Sequence, residues 1–191
     1  MKRKYIIIAA AGILAFGVIW WQSWQSIGGP KDLKITPTPT AEKKQDFQLT
    51  SSAFDPYQKI PVKYTCDGAN TNPPLTILGV PDGTKAFALT MEDPDAPNGT
   101  FSHWLIWNIP GDVKEIPSGD SLAGATQGTT SAGKPGYYGP CPPSGIHRYF
   151  FTLYALDAQI GLGSGAKKSD LDTVLVGHIL GETRLVGVYS R

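Results

Sequence analysis

Charged side chains are scarce in this sequence of 191 residues, at 17% of the total. The 17 lysines and arginines almost balance the 16 aspartates and glutamates, which leaves a formal net charge of +1. A protein that binds nucleic acid by bulk electrostatics carries a large basic excess, so the composition argues against that class. The sequence also lacks internal repeats, the H-E-x-x-H metalloprotease signature and the G-x-S-x-G nucleophile motif.

Glycine and proline are abundant by contrast, with 22 and 16 residues. This content argues against a helical bundle or a coiled coil, and it is too irregular to force disorder. It is typical of a loop-rich β protein, in which glycine and proline separate short strands.

The basic residues are concentrated near the N-terminus. Residues 1–46 hold seven of the 17 lysines and arginines but three of the 16 acidic residues. The rest of the chain is therefore mildly acidic, with ten basic and thirteen acidic residues. The overall charge thus conceals two parts of different design.

An uncharged run occupies residues 5–21 and reads YIIIAAAGILAFGVIWW. As a helix it would be roughly 25 Å long, the short end of a membrane span. Three basic residues precede the run, which predicts a cytoplasmic N-terminus and an extracytoplasmic remainder. A cleaved signal peptide is the alternative, but no small-x-small cleavage site follows. We predict a single-pass signal anchor in the cell membrane at residues 1–24 and a Pro/Thr-containing tether at residues 25–46.

We predict that residues 47–191 form one mainly β domain. Short apolar or alternating runs between Gly/Pro clusters predict strands at residues 47–50, 60–64, 86–91, 104–108, 149–156 and 185–189. One helix is predicted, with Ser169 as N-cap, Asp172 completing a capping box and Gly181 ending it. His178 would lie on the apolar face of that helix, which favours a structural role.

Two segments place polar side chains beside Gly/Pro-rich loops. They read DPDAPNGTFSHW at residues 93–104 and GYYGPCPPSGIHRY at residues 136–149, and they hold two of the three histidines. If the strands that follow these loops are neighbours, six side chains converge on a small polar pocket: Asp93, Asp95, His103, His147, Arg148 and Tyr149. Imidazolium, hydroxyl and loop N–H groups there would bind an anion such as phosphate.

The motifs DPDAP, SHWLIWNIP and YGPCPPSGIHRYFFTLYALD together resemble the phosphatidylethanolamine-binding protein family, in its bacterial and archaeal Raf-kinase-inhibitor-like branch. The resemblance covers about residues 47–191. It implies a β-sandwich of two antiparallel sheets with few short helices. It also implies a small surface pocket for phosphate-type anions and phospholipid headgroups. We predict that this pocket is non-enzymatic, with no cofactor, metal or catalytic residue. Carried over by motif, that pocket consists of Asp93, Pro97, His103, the turn formed by Pro142 and Pro143, His147 and Tyr149.

Cys66 and Cys141 are the only cysteines. Disulfides persist outside the cytoplasm, where the domain is predicted to lie, so we expect these two residues to be bonded. Two free, partly buried thiols are the alternative.

Other functions remain open at this stage. The Pro-rich loops could present a surface that inhibits or modulates a protease or kinase. His103, His147 and an aspartate could bind a metal for hydrolysis. Ser102 or Ser144 could act as a nucleophile with His147 and Asp93. We expect a tethered binding domain for a small phosphate-containing ligand or headgroup, with no nucleic-acid partner.

Overall fold

The computed structural model describes residues 46–119 and 122–191. The predicted anchor at residues 1–24 lies outside this range, as does the tether except for Asp46. Within the described residues, no helix is both long enough and apolar enough to cross a membrane.

The described part of the chain folds into two antiparallel sheets and one α-helix, which confirms the predicted mainly β class. A three-stranded sheet has the order β1-β2-β5, and a five-stranded sheet has the order β6-β4-β3-β7-β8. The strands are β1 (Gln48–Thr50), β2 (Leu75–Leu78), β3 (Ala86–Asp93), β4 (Phe101–Pro110), β5 (Glu115–Ile116), β6 (Thr126–Gln127), β7 (Ile146–Leu156) and β8 (Ile179–Ser190). The helix α1 is Lys168–Leu175.

Both faces of the five-stranded sheet are covered, because its strands carry apolar residues at both parities. In β3, Phe87, Leu89 and Met91 point into the core shared with the three-stranded sheet. Ala88 points the other way, into a smaller cluster that includes Leu171 and Leu175 of α1. β7 lies between β3 and β8, as expected for an interior strand.

The strand predicted at residues 60–64 is wrong. Pro61 leads into a 3-10 turn, Val62–Tyr64, and Val62 and Lys63 are exposed. Ile60 and Tyr64 are nevertheless buried in the main core. The apolar spacing of this segment therefore reflects two anchor points on either side of a turn.

The helix boundaries also differ from the prediction. α1 begins one residue before Ser169, and the side chain of Asp170 accepts the Lys167 backbone N–H at 2.8 Å. Asp172 instead binds Lys168. The helix ends at Leu175 because Gly177, two residues later, has a positive φ of 85° that turns the chain. Gly181 belongs to β8, and His178 follows the helix, half-exposed and paired with Asp157 at 2.8 Å.

Candidate functional site

A cavity of about 290 Å³ opens at the edge where β3 ends and where β4 and β7 begin. β3 pairs with both neighbours in antiparallel register, so its last residue, Asp93, pairs with Phe101 at the start of β4, and the preceding residue, Glu92, pairs with Phe150 in the first half of β7. The strand order thus brings two distant motifs together. The cavity is lined by Asp93, Ala96, Pro97, Asn98, Phe101, His103, Tyr138, Cys141, Pro142, Pro143 and His147.

His147 and Asp93 form a buried pair on one side of the cavity. His147 Nδ1 lies 2.7 Å from Asp93 Oδ2, and the two residues are 6% and 3% exposed. The other carboxylate oxygen of Asp93 accepts the Asp95 backbone N–H at 2.8 Å. Both oxygens of Asp93 are therefore engaged within the protein, and Nδ1 of His147 donates to a carboxylate. The ring nitrogen left for a ligand is Nε2.

His103 is held in a different way. Its Nδ1 lies 2.7 Å from the backbone carbonyl of Tyr138, so this nitrogen carries the proton. Burial lowers the pKa of His103, and the carbonyl of Tyr138 opposes that shift in part. The ring packs between Phe101, at 4.7 Å between centroids, and the edge of Tyr149, at 5.2 Å. His103 is therefore fixed in its orientation, and its burial disfavours the charged form of the ring.

The remaining wall of the cavity is a loop segment, residues 137–143, that is fastened to residues 64–70. A Cys66–Cys141 disulfide joins the two segments. Three hydrogen bonds add to it: Tyr137 Oη donates to Tyr64 O at 2.8 Å, Cys66 N to Pro140 O at 3.1 Å, and Gly139 N to Asn70 Oδ1 at 2.7 Å. The wall is thus built from a covalent link and a set of short polar contacts.

Six of the predicted site residues line the cavity: Asp93, Pro97, His103, Pro142, Pro143 and His147. Asp95 and Arg148 do not. They form a bidentate ion pair outside it, with Arg148 Nη2 at 2.7 Å from Oδ1 and Nε at 2.9 Å from Oδ2. The side-chain hydrogen bond from Arg148 lowers the pKa of Asp95 to about 2.

Tyr149 lies behind the cavity. It is fully buried, and its hydroxyl lies near the Cys141 backbone without forming a hydrogen bond of normal geometry. Burial raises the pKa of this phenol, and the nearby charge of Asp93 adds to the shift. Its contact with the cavity is indirect, through the ring of His103.

Five lining residues were not predicted as ligand contacts: Ala96, Asn98, Phe101, Tyr138 and Cys141, of which Cys141 was predicted only as half of a disulfide. Phe101 could have been found, because it is two residues before His103 on a strand and so shares its face. The sequence pattern did not indicate Tyr138, because this residue binds His103 through its backbone carbonyl and not through its side chain.

The serines of the hydrolase alternative lie outside the cavity. Ser102 precedes His103 on β4 and therefore faces the other side of the sheet, where it lines a separate polar cavity with Ser131 and Lys168. Ser144 is exposed on the loop before β7 and does not line the cavity. Within the described ranges, no cluster of three or more His, Cys, Asp or Glu side chains could hold a metal ion.

Comparison with known proteins gives consistent matches over the described domain. The family model for phosphatidylethanolamine-binding protein matches residues 50–190. A UPF0098 protein of Methanothermobacter thermautotrophicus is 48% identical over 150 residues, which cover 76% of this chain and 99% of that protein.

Two solved structures resemble the chain in fold and sequence. The phosphatidylethanolamine-binding protein homologue CT736 of Chlamydia trachomatis has a TM-score of 0.74 at 39% identity, covering 76% of this chain and 97% of its own. E. coli YbcL, described as a member of the mammalian PEBP family, has a TM-score of 0.73 at 32% identity and covers 77% of this chain and 99% of its own.

Proposed function

This chain belongs to the phosphatidylethanolamine-binding protein family, with bacterial and archaeal relatives, and from that premise we propose that its cavity binds the phosphoryl group of a small ligand or a phospholipid headgroup. The observation that carries the proposal is the pair of imidazoles, His103 and His147, on one small cavity. In each ring a protein acceptor occupies Nδ1, so that both rings present Nε2 to a ligand.

The ionisable groups of the cavity favour an oxyanion that arrives with a proton. The Asp93 carboxylate lies 2.7 Å from His147 Nδ1, so the cavity offers a dianion little net positive charge. A proton on His103 Nε2, taken up on binding or supplied by the ligand, would turn this nitrogen into a donor toward a phosphoryl oxygen. Binding should therefore weaken as pH rises, because the shared proton is then lost.

The cavity lining includes several apolar rings. Phe101, Pro97, Pro142 and Pro143 line it together with the polar side chains. Apolar lining accommodates the carbon skeleton of a phosphate ester, while the polar groups can bind a free phosphate ion as well. The ligand test therefore needs both probes.

Titration calorimetry on the purified full chain with inorganic phosphate and with phosphoethanolamine tests this function. We expect binding at pH 5–6 that is at least tenfold weaker at pH 8 and is lost in the His103→Ala/His147→Ala double variant. His178→Ala is the matched control, since His178 lies half-exposed outside the cavity. Absence of binding at pH 5–6, or unchanged binding in the double variant, would defeat the proposal. Tighter binding of phosphoethanolamine than of phosphate would indicate a headgroup ligand.

We further propose that the domain works outside the cytoplasm, tethered through residues 1–46 to the cell membrane. The support is the sequence alone: the uncharged run at residues 5–21 follows three basic residues. Protease added to spheroplasts should digest the domain without lysis. Protection of the domain until lysis, or its release as a soluble form, would contradict the tether.

The binding role is proposed without catalysis. Turnover of a phosphate ester by the purified chain, abolished in the His103→Ala/His147→Ala variant, would contradict it.

A further inference from the structure

We propose that the Cys66–Cys141 disulfide is a thiol–disulfide exchange site inside the ligand cavity, where a bound anion and an attacking dithiol compete for the same space. This inference rests on the proposed anion-binding function, because the anion is what would shield the sulfur. The partner is a dithiol reductant, recognised by its chemistry alone.

One of the two cysteines lies at the cavity. Cys141 lines it, whereas Cys66 does not, and both residues are partly buried. A thiolate attacks a disulfide by approaching one sulfur while the other leaves. Attack on Cys141 from the cavity side would therefore displace Cys66, which lies on the segment behind the wall. His103 and His147 line the same space, so an anion between them would stand in the path of the attacking thiolate.

A cation next to Cys141 favours the reduced form. Arg191 Nη1 lies 4.0 Å from Cys141 Sγ, and a guanidinium at this distance stabilises a thiolate. Asp67 offsets part of that charge, because its Oδ1 lies 3.0 Å from Arg191 Nη2. The other oxygen of Asp67 accepts the Tyr189 hydroxyl at 2.9 Å, which fixes the position of this carboxylate.

The exchange proceeds in two displacement steps. A thiolate of the dithiol attacks Cys141 Sγ, the Sγ–Sγ bond breaks, and Cys66 leaves as a thiolate that takes up a proton. The second thiol of the reductant then loses its proton and attacks the reductant's own sulfur in the mixed disulfide, and Cys141 leaves as a thiolate that takes up a proton. The protein gains two electrons and two protons, and the reductant becomes a cyclic disulfide.

Reduction should loosen the wall without detaching it. The hydrogen bonds from Tyr137, Gly139 and Cys66 to the facing segment do not require the disulfide. We therefore expect the reduced protein to stay folded and to bind phosphate three- to tenfold more weakly, since Pro142 and Pro143 follow Cys141 directly.

The test measures reduction of the full chain by dithiothreitol. Timed samples are alkylated, and the intact mass gives the fraction with two free thiols. Inorganic phosphate is titrated, with sodium chloride at matched ionic strength as the control. We expect the rate constant to fall at least fivefold, with half-maximal protection at the Kd from calorimetry. An unchanged rate at saturating phosphate would overturn the exchange site and leave the proposed function standing.

Two variants test the exchange site in the absence of phosphate. Asn98→Trp places a large ring at the cavity and should slow reduction at least fivefold, whereas Val176→Trp, at a position that is 78% exposed elsewhere, should not. Arg191→Gln should shift the equilibrium with dithiothreitol at least threefold toward the disulfide, and Arg184→Gln serves as its control. If calorimetry shows no phosphate binding, the proposed competition between anion and dithiol is contradicted together with the proposed function. Equal rates in Asn98→Trp and the wild type would then overturn the exchange site as well.

Discussion

The two imidazoles of the cavity differ in the group that orients them. A carboxylate holds His147 and can balance a positive charge on its ring, whereas a neutral backbone carbonyl holds His103. Protonating the buried His103 therefore costs more than protonating an exposed histidine. The two rings have different electrostatic roles although they lie on the same cavity.

The lowered pKa of His103 predicts a loss of stability in mild acid. The unfolded chain takes up a proton near pH 6.5 more readily than the folded chain does, so the free energy of unfolding should fall as pH drops below about 6.5. His103→Gln should remove part of that fall between pH 7 and 5.5. Urea unfolding at each pH measures it, with His178→Gln as the control. The same slope in His103→Gln as in the wild type would contradict the assignment.

The Asp95–Arg148 pair should contribute little to stability. Its side chains are 28% and 52% exposed, and water screens such a pair. A double-mutant cycle with Asp95→Asn and Arg148→Gln should give a coupling energy below about 1 kcal/mol in urea unfolding.

The same cycle decides whether this pair belongs to the binding site. Since neither residue lines the cavity, we expect phosphate affinity to change less than twofold in Arg148→Gln. A tenfold loss would restore Arg148 to the ligand set that the sequence predicts.

At the scale of elements, the wall segment at residues 137–143 depends on a close approach that only glycine permits. A Cβ at Gly139 would lie 2.7 Å from Tyr64 O and from Asn70 Oδ1. Gly139→Ala should therefore push the wall from its partner and cost about 1–3 kcal/mol in the free energy of unfolding. Gly161→Ala is the control, because nothing lies within 4 Å of its Cβ position. Equal stability of these two variants would contradict the tight fit.

Strand and site elements were predictable where the pattern is local. β3 and β7 show long apolar runs, and the DPDAP and GIHRY motifs sit at their ends, so Asp93 and His147 were found from the sequence. The strand prediction at residues 60–64 was wrong, because the spacing of apolar residues alone does not distinguish a strand from a turn with a buried residue on either side. The short strands β5 and β6 have two residues each, too few to show a period. The carbonyl of Tyr138 could not be found at all, because a backbone contact leaves no signature in side-chain chemistry.

At the scale of the whole molecule, the disulfide joins residues 75 positions apart in the sequence. Loop-closure entropy for such a separation corresponds to about 4 kcal/mol of stabilisation. The Cys66→Ala/Cys141→Ala variant should lose up to that amount in urea unfolding, with less lost if residual structure keeps the unfolded chain compact. A loss below about 1 kcal/mol would show that the bridge does not constrain the unfolded chain.

The register of β4 against β3 sets a rule for changes in chain length. Met91 pairs with Trp104 and the next residue of β3, Glu92, pairs with Ser102, so His103 is an extra residue at a β-bulge. Deleting one residue there would close the bulge and remove the position from which the imidazole lines the cavity. Loops at residues 94–100 and 142–145 lie outside this pairing, since only their ends must meet. Insertions in these loops can therefore reshape the mouth of the cavity, while the extra residue of β4 must be kept.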